Sequence, residues 1–201
     1  MADDTAVGPP LVLASGSPRR AELLRRVGYV FDVVAPDVDE TVGDDERPDA
    51  AAARFAAAKA GRVWTDRPGS IVVAADTVVV LDGATLGKPT DAVDALQMLR
   101  SMAGREHTVL TAVQVQGPDD VAQSFTARAV VRMAASDPET LAGYVTTGEP
   151  MDKAGAYGLQ GIGAALVTRI DGDPTTVIGL PLQQTVAALR ALGLPPPAFN
   201  P

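Results

Sequence analysis

The sequence predicts an α/β protein built on a mixed sheet, and three observations carry that reading. Short unbroken apolar runs of strand length alternate with segments whose apolar residues recur at helical spacing. Two longer runs, 107–115 and 124–133, face each other across Gly-Pro-Asp-Asp and read as antiparallel neighbours, so the sheet is not wholly parallel. No internal repeat divides the 201 residues, which suffice for one good core, as a single domain or as two lobes of one sheet.

Leu11 to Ala14 is the kind of apolar run that forms a strand covered on both faces. Ser15-Gly16-Ser17 breaks it, Ser17 fits a helix N-cap and Pro18 the first helical position, and Leu23, Leu24 and Val27 continue at helical spacing until Gly28. Phe31 to Ala35 reads as a second strand, followed by an acidic loop, PDVDETVGDDERPD. A helix over 50–63 follows from propensity, with Phe55, Ala58 and Arg62 at helical spacing and Lys59 on it. The β-branched run 70–81 is the most strand-like in the chain, and Asp82-Gly83 turns it into a short piece, ATLGKP. Asp91 opens an amphipathic helix to Met102, and Asp137-Pro138 opens another to Thr146. Residues 148–163 are too rich in glycine for either periodicity. Segments 165–170 and 175–178 are expected to pair around Asp171-Gly172, before a closing helix over 180–192. Residues 1–10 and the proline-rich 195–201 are expected to be tails flanking one domain at 11–194.

A formal charge of −8 argues against a nucleic-acid polymer or an anionic membrane as the main partner. A small phosphorylated ligand remains open if positive charge is gathered locally. The absence of cysteine excludes a thiol nucleophile, a disulfide framework and a zinc-thiolate site. With one histidine, His107, any metal should be a hard cation on oxygen ligands, Mg²⁺ or Mn²⁺. His107 itself reads as a surface or edge histidine at a strand start. No apolar run reaches membrane-spanning length, and MADDTAVGPP lacks the basic and apolar regions of a secretion signal, so a cytoplasmic protein is expected.

Three groups of residues could carry chemistry. Arg19 and Arg20 stand in the first turn of a helix, where the dipole disfavours cations unless an anion is present; a phosphate or a partner such as Glu22 would each answer this. Asp76 lies inside a Val-rich strand, where a carboxylate is costly unless paired, protonated or metal-bound. Asp37, Asp39 and Glu40 follow the second strand, and Glu40 with Asp76 would suffice for a Mg²⁺ completed by water and phosphate, if the fold brings them together. Lys59, Lys88 and Lys153 form the third group, open to phosphate binding or to simple solvation. The P-loop and the Rossmann glycine triplet are absent.

Taken in order, ASGSPRR, PDVDE, AADT, LGKP, EPMDKAGAYGLQG and VIGLPL resemble the Maf family of nucleoside triphosphate pyrophosphatases over Leu11 to about Leu192. The resemblance implies an elongated twisted mixed sheet with two lobes around a central cleft, a homodimer, and a divalent-metal requirement. It implies hydrolysis of a nucleoside triphosphate to the monophosphate and pyrophosphate, with Asp76 as proton acceptor and Glu40 beside the metal. Ser17, Arg19, Arg20, Lys59, Lys88 and Lys153 match positions lining the phosphate cleft. The branch acting on dTTP and UTP is similar to this chain at Arg19, Thr77 and Gln160, and an amide at 160 can match N3–H and O4 of uracil or thymine. A regulatory role in septum formation and division is the alternative that the same resemblance implies. One departure from the family pattern is Asp173-Pro174-Thr175-Thr176, where members often carry aromatic residues before VVGLPL.

Overall fold

The computed structural model describes residues 8–196. The two expected tails fall mostly outside the described residues.

Strand β1 (Leu11–Ala14) is buried at every position and lies parallel to β2 (Asp32–Val34) on one side and β3 (Ile71–Leu81) on the other. Parallel neighbours need crossovers, which α1 (Pro18–Arg26) and α2 (Pro48–Asp66) supply. Beyond β3 the sheet is antiparallel. Asp82 and Gly83, at φ 51° and 83°, make the left-handed turn that folds β4 (Ala84–Leu86) back on β3. Helix α3 (Ala92–Met102) leads to the long pair β5 (Glu106–Gln116) and β6 (Ala122–Met133). Helix α4 (Pro138–Thr146), β7 (Val167–Asp171), α5 (Pro174–Ile178) and α6 (Leu182–Ala191) complete the chain. The sheet has seven strands in the order β2-β1-β3-β5-β6-β7, with β4 on β3.

The pairing of β3 positions the site. On one side β3 pairs with β5 along nearly its whole length, from Val72 to Val80. On the other, β1 takes Ile71 to Val73 and β4 takes Val79 to Leu81. Residues 74–78 are left without a strand on that edge, and Asp76 and Thr77 lie in the gap. Around them are two main cores. One gathers Leu13, Leu24, Ile71 and Leu189 under α1 and α6; the other gathers Leu99, Met102, Val109 and Tyr144 under α3 and α4. The two lobes implied by the family resemblance correspond to these cores on one shared sheet.

Helix caps form where Asp91 and Asp137 accept from the backbone N–H of Asp94 and Thr140 at 2.8 and 2.7 Å. Ser17 occupies the N-cap of α1 but makes no side-chain cap bond. Helix α2 starts earlier than the expected 50–63, because Pro48 takes its first position, and it runs on to Asp66. Its buried stripe runs through Ala52, Phe55, Ala56, Lys59, Ala60 and Val63, whereas Ala58 and Arg62 are exposed. Strand β2 is an edge with Val33 47% exposed. Two expectations are corrected. Residues 175–178 do not pair with 165–170: Asp173 accepts from Thr175 N–H at 2.8 Å and starts α5, while β7 pairs with β6 instead. His107 is not at the surface. Alternation along β5 puts it on the same inward side as Val109 and Thr111, where it is 3% exposed and its Nε2 lies 2.8 Å from the Tyr157 hydroxyl.

Burial pulls the His107 imidazole down to about 4, so the folded protein holds it neutral while the unfolded chain takes up a proton near 6.5. The unfolded state binds the extra proton as pH falls, so this contribution is complete above pH 6.5 and is lost progressively toward pH 4. With a single histidine in the chain, urea denaturation should show a loss on the order of 1–2 kcal/mol between pH 6.5 and 5, and His107→Gln should flatten that slope.

Candidate active site

The loop after β1 and the first turn of α1 form one wall. Ser15 Oγ accepts from Ser17 N–H at 3.2 Å and from Arg20 Nη1 at 3.1 Å, which fixes the bend into the helix. Arg20 also donates from Nε to the Gly179 carbonyl at 2.8 Å and from Nη2 to Thr77 Oγ1 at 3.1 Å. Burial pulls its guanidinium down to about 10, opposed by the nearby Asp76 charge, so it remains a cation at neutral pH. Thr111 donates its one hydroxyl proton to the Thr176 carbonyl at 2.8 Å, so the 2.9 Å contact between the two threonine hydroxyls must be donated by Thr77. The direction of the whole chain is therefore settled, from Arg20 through Thr77 and Thr111 to α5. Arg20 and Thr77, expected to face substrate, are tied into the frame of the wall.

The floor is the gap in β3. Asp76 is 8% exposed and Lys59 9%, and Lys59 Nζ lies 2.7 Å from Asp76 Oδ1 and 2.7 Å from Glu40 Oε1. A buried carboxylate and a buried ammonium compensate each other's desolvation, and removing one partner of such a pair costs about 3–5 kcal/mol. Lys59 lies at i+4 from Phe55, in register with the apolar stripe of α2. That register is the sequence signal that marks it as a lysine pointing inward.

The opposite wall comes from residues 148–163, which fold into tight turns at Glu149–Asp152 and Ala154–Ala156 with a third beginning at Ile162. Glu149 organises it. Its carboxylate accepts from Ile162 N–H at 2.8 Å, Gly163 N–H at 3.0 Å and the Tyr144 hydroxyl at 3.0 Å, and burial, which pushes the group up, is outweighed by these donors so that it sits below the usual carboxylate range. A Cβ at Gly163 would come within 2.8 Å of the Gly158 carbonyl, so the loop closes tightly on itself. The Gly155 N–H donates to the Gly87 carbonyl at 3.0 Å, tying the turn that carries Lys153 to the LGKP loop that carries Lys88. Ala156 holds a left-handed φ of 59° while fully buried, a local strain fixed by the same packing.

Two contacts bridge the walls. Arg19 Nη1 pairs with Asp152 Oδ2 at 2.7 Å, and Asp152 Oδ1 also meets Lys153 Nζ at 2.6 Å. Burial pushes the Asp152 carboxyl up, but hydrogen bonds from Lys153 and Arg19 bring it down to about 2. Gln160 Nε2 donates to Glu22 Oε2 at 3.0 Å. Sequence alone does not single out Asp152, Glu149 or Thr111, although Glu149 and Asp152 lie within EPMDKAG beside Lys153; Glu22, a candidate partner for the arginines of the first turn, pairs instead with Arg26 and Gln160.

Together these parts enclose a cleft of about 610 Å³ lined by Ser17, Arg19, Arg20, Glu40, Lys59, Asp76, Thr77, Lys88, Lys153 and Gln160, every site residue expected from sequence. Five cationic side chains line it against three carboxylates, Glu40, Asp76 and Asp152. In a chain with 17 basic and 25 acidic residues, positive charge has been gathered here. Glu40 and Asp76 carry the oxygen donors that the expected hard cation takes, and Mg²⁺ or Mn²⁺ needs only one or two protein carboxylates when phosphate and water supply the rest; the point both reach is filled by the Lys59 ammonium. Among the described residues no group of three or more histidine or acidic side chains could hold a metal by itself, so substrate oxygens would complete the shell.

The fold and the cleft define a class: an α/β protein whose mixed sheet is interrupted at one edge, where a buried carboxylate lies in a cleft lined by five cations. The sheet resembles that of a HAM1 protein from Coxiella burnetii, at a TM-score of 0.52 and 15% identity over 91% of this chain and 99% of that one. A Ham1 protein from Staphylococcus aureus superposes with a TM-score of 0.50 and 15% identity over 79% of each chain. Residues 10–192 match the family model described as Maf-like protein, and the chain belongs to the Maf family. It is 50% identical over 92% of its length to a dTTP/UTP pyrophosphatase of Symbiobacterium thermophilum, covering 95% of that protein. A dTTP/UTP pyrophosphatase of Nitratidesulfovibrio vulgaris is 47% identical over 94% of this chain and 93% of its own.

Breaking the threonine chain tests the wall. Thr111→Val keeps the shape but leaves the Thr77 hydroxyl proton without an acceptor and the Thr176 carbonyl without its donor, and should cost about 1–3 kcal/mol in urea denaturation, whereas Thr111→Ser should recover most of it.

Proposed function

We propose that the chain hydrolyses dTTP and UTP, and modified pyrimidine nucleoside triphosphates, to the nucleoside monophosphate and pyrophosphate. The observation that carries this is the convergence of Asp76 and Glu40 on Lys59 at the floor of a cleft whose walls hold the other cations. The names of the 50% and 47% identical relatives support the reaction, and favour it over a regulatory protein concerned with septum formation.

In this reading Asp76 accepts a proton from water as its oxygen bonds to the α-phosphorus, and the bridge to the β-phosphate breaks with its electrons leaving on pyrophosphate. Lys59 orients Asp76 and Glu40 together, and their distance of 2.7 Å from its ammonium keeps the base at a defined place. Arg19 and Lys153, now sharing Asp152, together with Lys88, which makes no ion pair among the described residues, face the phosphates and offset the charge that gathers on the leaving group. Ser17, at the N-terminus of α1, adds a hydroxyl and the helix dipole. Arg20 contributes its fixed charge from behind. A divalent cation held by Glu40 and Asp76 would polarise the phosphate oxygens and screen their charge from the attacking oxygen.

A panel of nucleoside triphosphates with Mg²⁺ or Mn²⁺, read by pyrophosphate release, should show dTTP and UTP preferred over purine nucleotides. Asp76→Asn should lower kcat by about a hundredfold or more. Glu40→Gln should raise the metal concentration needed for half-maximal rate. Orthophosphate as the first product would overturn the reaction, and undiminished Asp76→Asn activity would overturn the base.

A further inference from the structure

A glutamine amide cannot by itself tell uracil from cytosine. Uracil and thymine offer a donor at N3 and an acceptor at O4, whereas cytosine offers an acceptor at N3 and a donor at N4. A half-turn of the amide exchanges its oxygen and nitrogen and would serve either base. Something beside Gln160 must hold the amide one way round if the site is to prefer one of them.

Glu22 is in that position. Its Oε2 receives Gln160 Nε2–H at 3.0 Å, and its Oε1 is held by Arg26 one turn further along α1. A carboxylate only accepts, so the amide nitrogen must face α1, and the reversed amide would set two oxygens against each other. The backbone under Gln160 is fixed as well. Glu149 grips Ile162 and Gly163, and the tight approach of Gly158 and Gly163 leaves the loop little room to rotate. The flip of the side chain is the remaining freedom, and Glu22 removes it. Glu22 stands three residues after Arg19 on the same helix, so the element that faces the phosphates also orients the residue facing the base.

We propose that Glu22 is a positioning residue for pyrimidine choice: by accepting from Gln160 it locks the amide in the orientation that suits uracil and thymine and opposes cytosine. This rests on the reading of Gln160 as the base-facing residue. It extends that reading to a residue that touches no substrate.

The test compares kcat/KM for UTP and CTP, by pyrophosphate release, in the natural protein, Glu22→Gln and Gln160→Ala. Both altered side chains are exposed, so folding is expected to survive. A glutamine at 22 can donate or accept, which frees the Gln160 amide to turn. The UTP:CTP ratio should fall about tenfold in Glu22→Gln, modest because the amide is open to water, with the CTP value rising in absolute terms. Loss of a merely structural contact would lower both substrates alike. A ratio unchanged in Glu22→Gln but collapsed in Gln160→Ala overturns the lock and leaves Gln160 as the reader. A ratio unchanged in both overturns the reading of Gln160 and the lock with it, as does a natural protein that releases no pyrophosphate from either nucleotide.

Discussion

Everything in the cleft is arranged around one buried ammonium. Lys59 stands between buried Asp76 and half-exposed Glu40, and Lys59 and Asp76 would each be costly to hold alone so far from water. The contact ties the acidic loop to α2 and to β3, on which α2 packs. It is therefore an electrostatic pin for the fold as well as the core of the site. The Asp76 side chain projects from the face of β3 that α2 covers, beside the stretch 74–78 that neither β1 nor β4 pairs.

The walls follow the same economy of charge. An acidic chain can hold a polyanion only if its few cations converge, and here Arg19, Arg20, Lys59, Lys88 and Lys153 come from four segments spread over more than a hundred residues. Without a ligand these charges need partners of their own. Asp152 supplies one between Arg19 and Lys153, and is held far below the usual carboxylate range by them. Arg20 differs from the rest: with three hydrogen bonds to the protein frame it acts through its charge and through the wall it holds.

Much of this was legible from the residues. The apolar run at β1, the Ser17-Pro18 helix start, the caps at Asp91 and Asp137 and the long β5-β6 pair all follow local rules that tertiary context leaves intact. All ten site residues named from sequence line one cleft. The failures are as informative. Residues 175–178 are β-branched and suit a strand, but Asp173 and Pro174 start a helix there and β6 offers its edge to β7 alone. A place at a strand start suggests a surface or edge position for His107, although the two-residue period of β5 aligns it with buried Val109 and Thr111.

What the sequence by itself determined is the alternation of elements, the membership of the chemical set and the family. Each depends on residues near one another in the chain, or on the order of short motifs. Only the tertiary structure decided how those members are held: that Arg20 and Thr77 are hydrogen-bonded into the frame, that Asp152 and Glu22 bridge the walls, and that Asp76 lies in a gap between β1 and β4. Those distinctions rest on contacts between residues up to 159 positions apart, as from Arg20 to Gly179. Local propensity carries no information about them, because they are fixed only when the sheet closes and unpaired polar groups must find partners inside it.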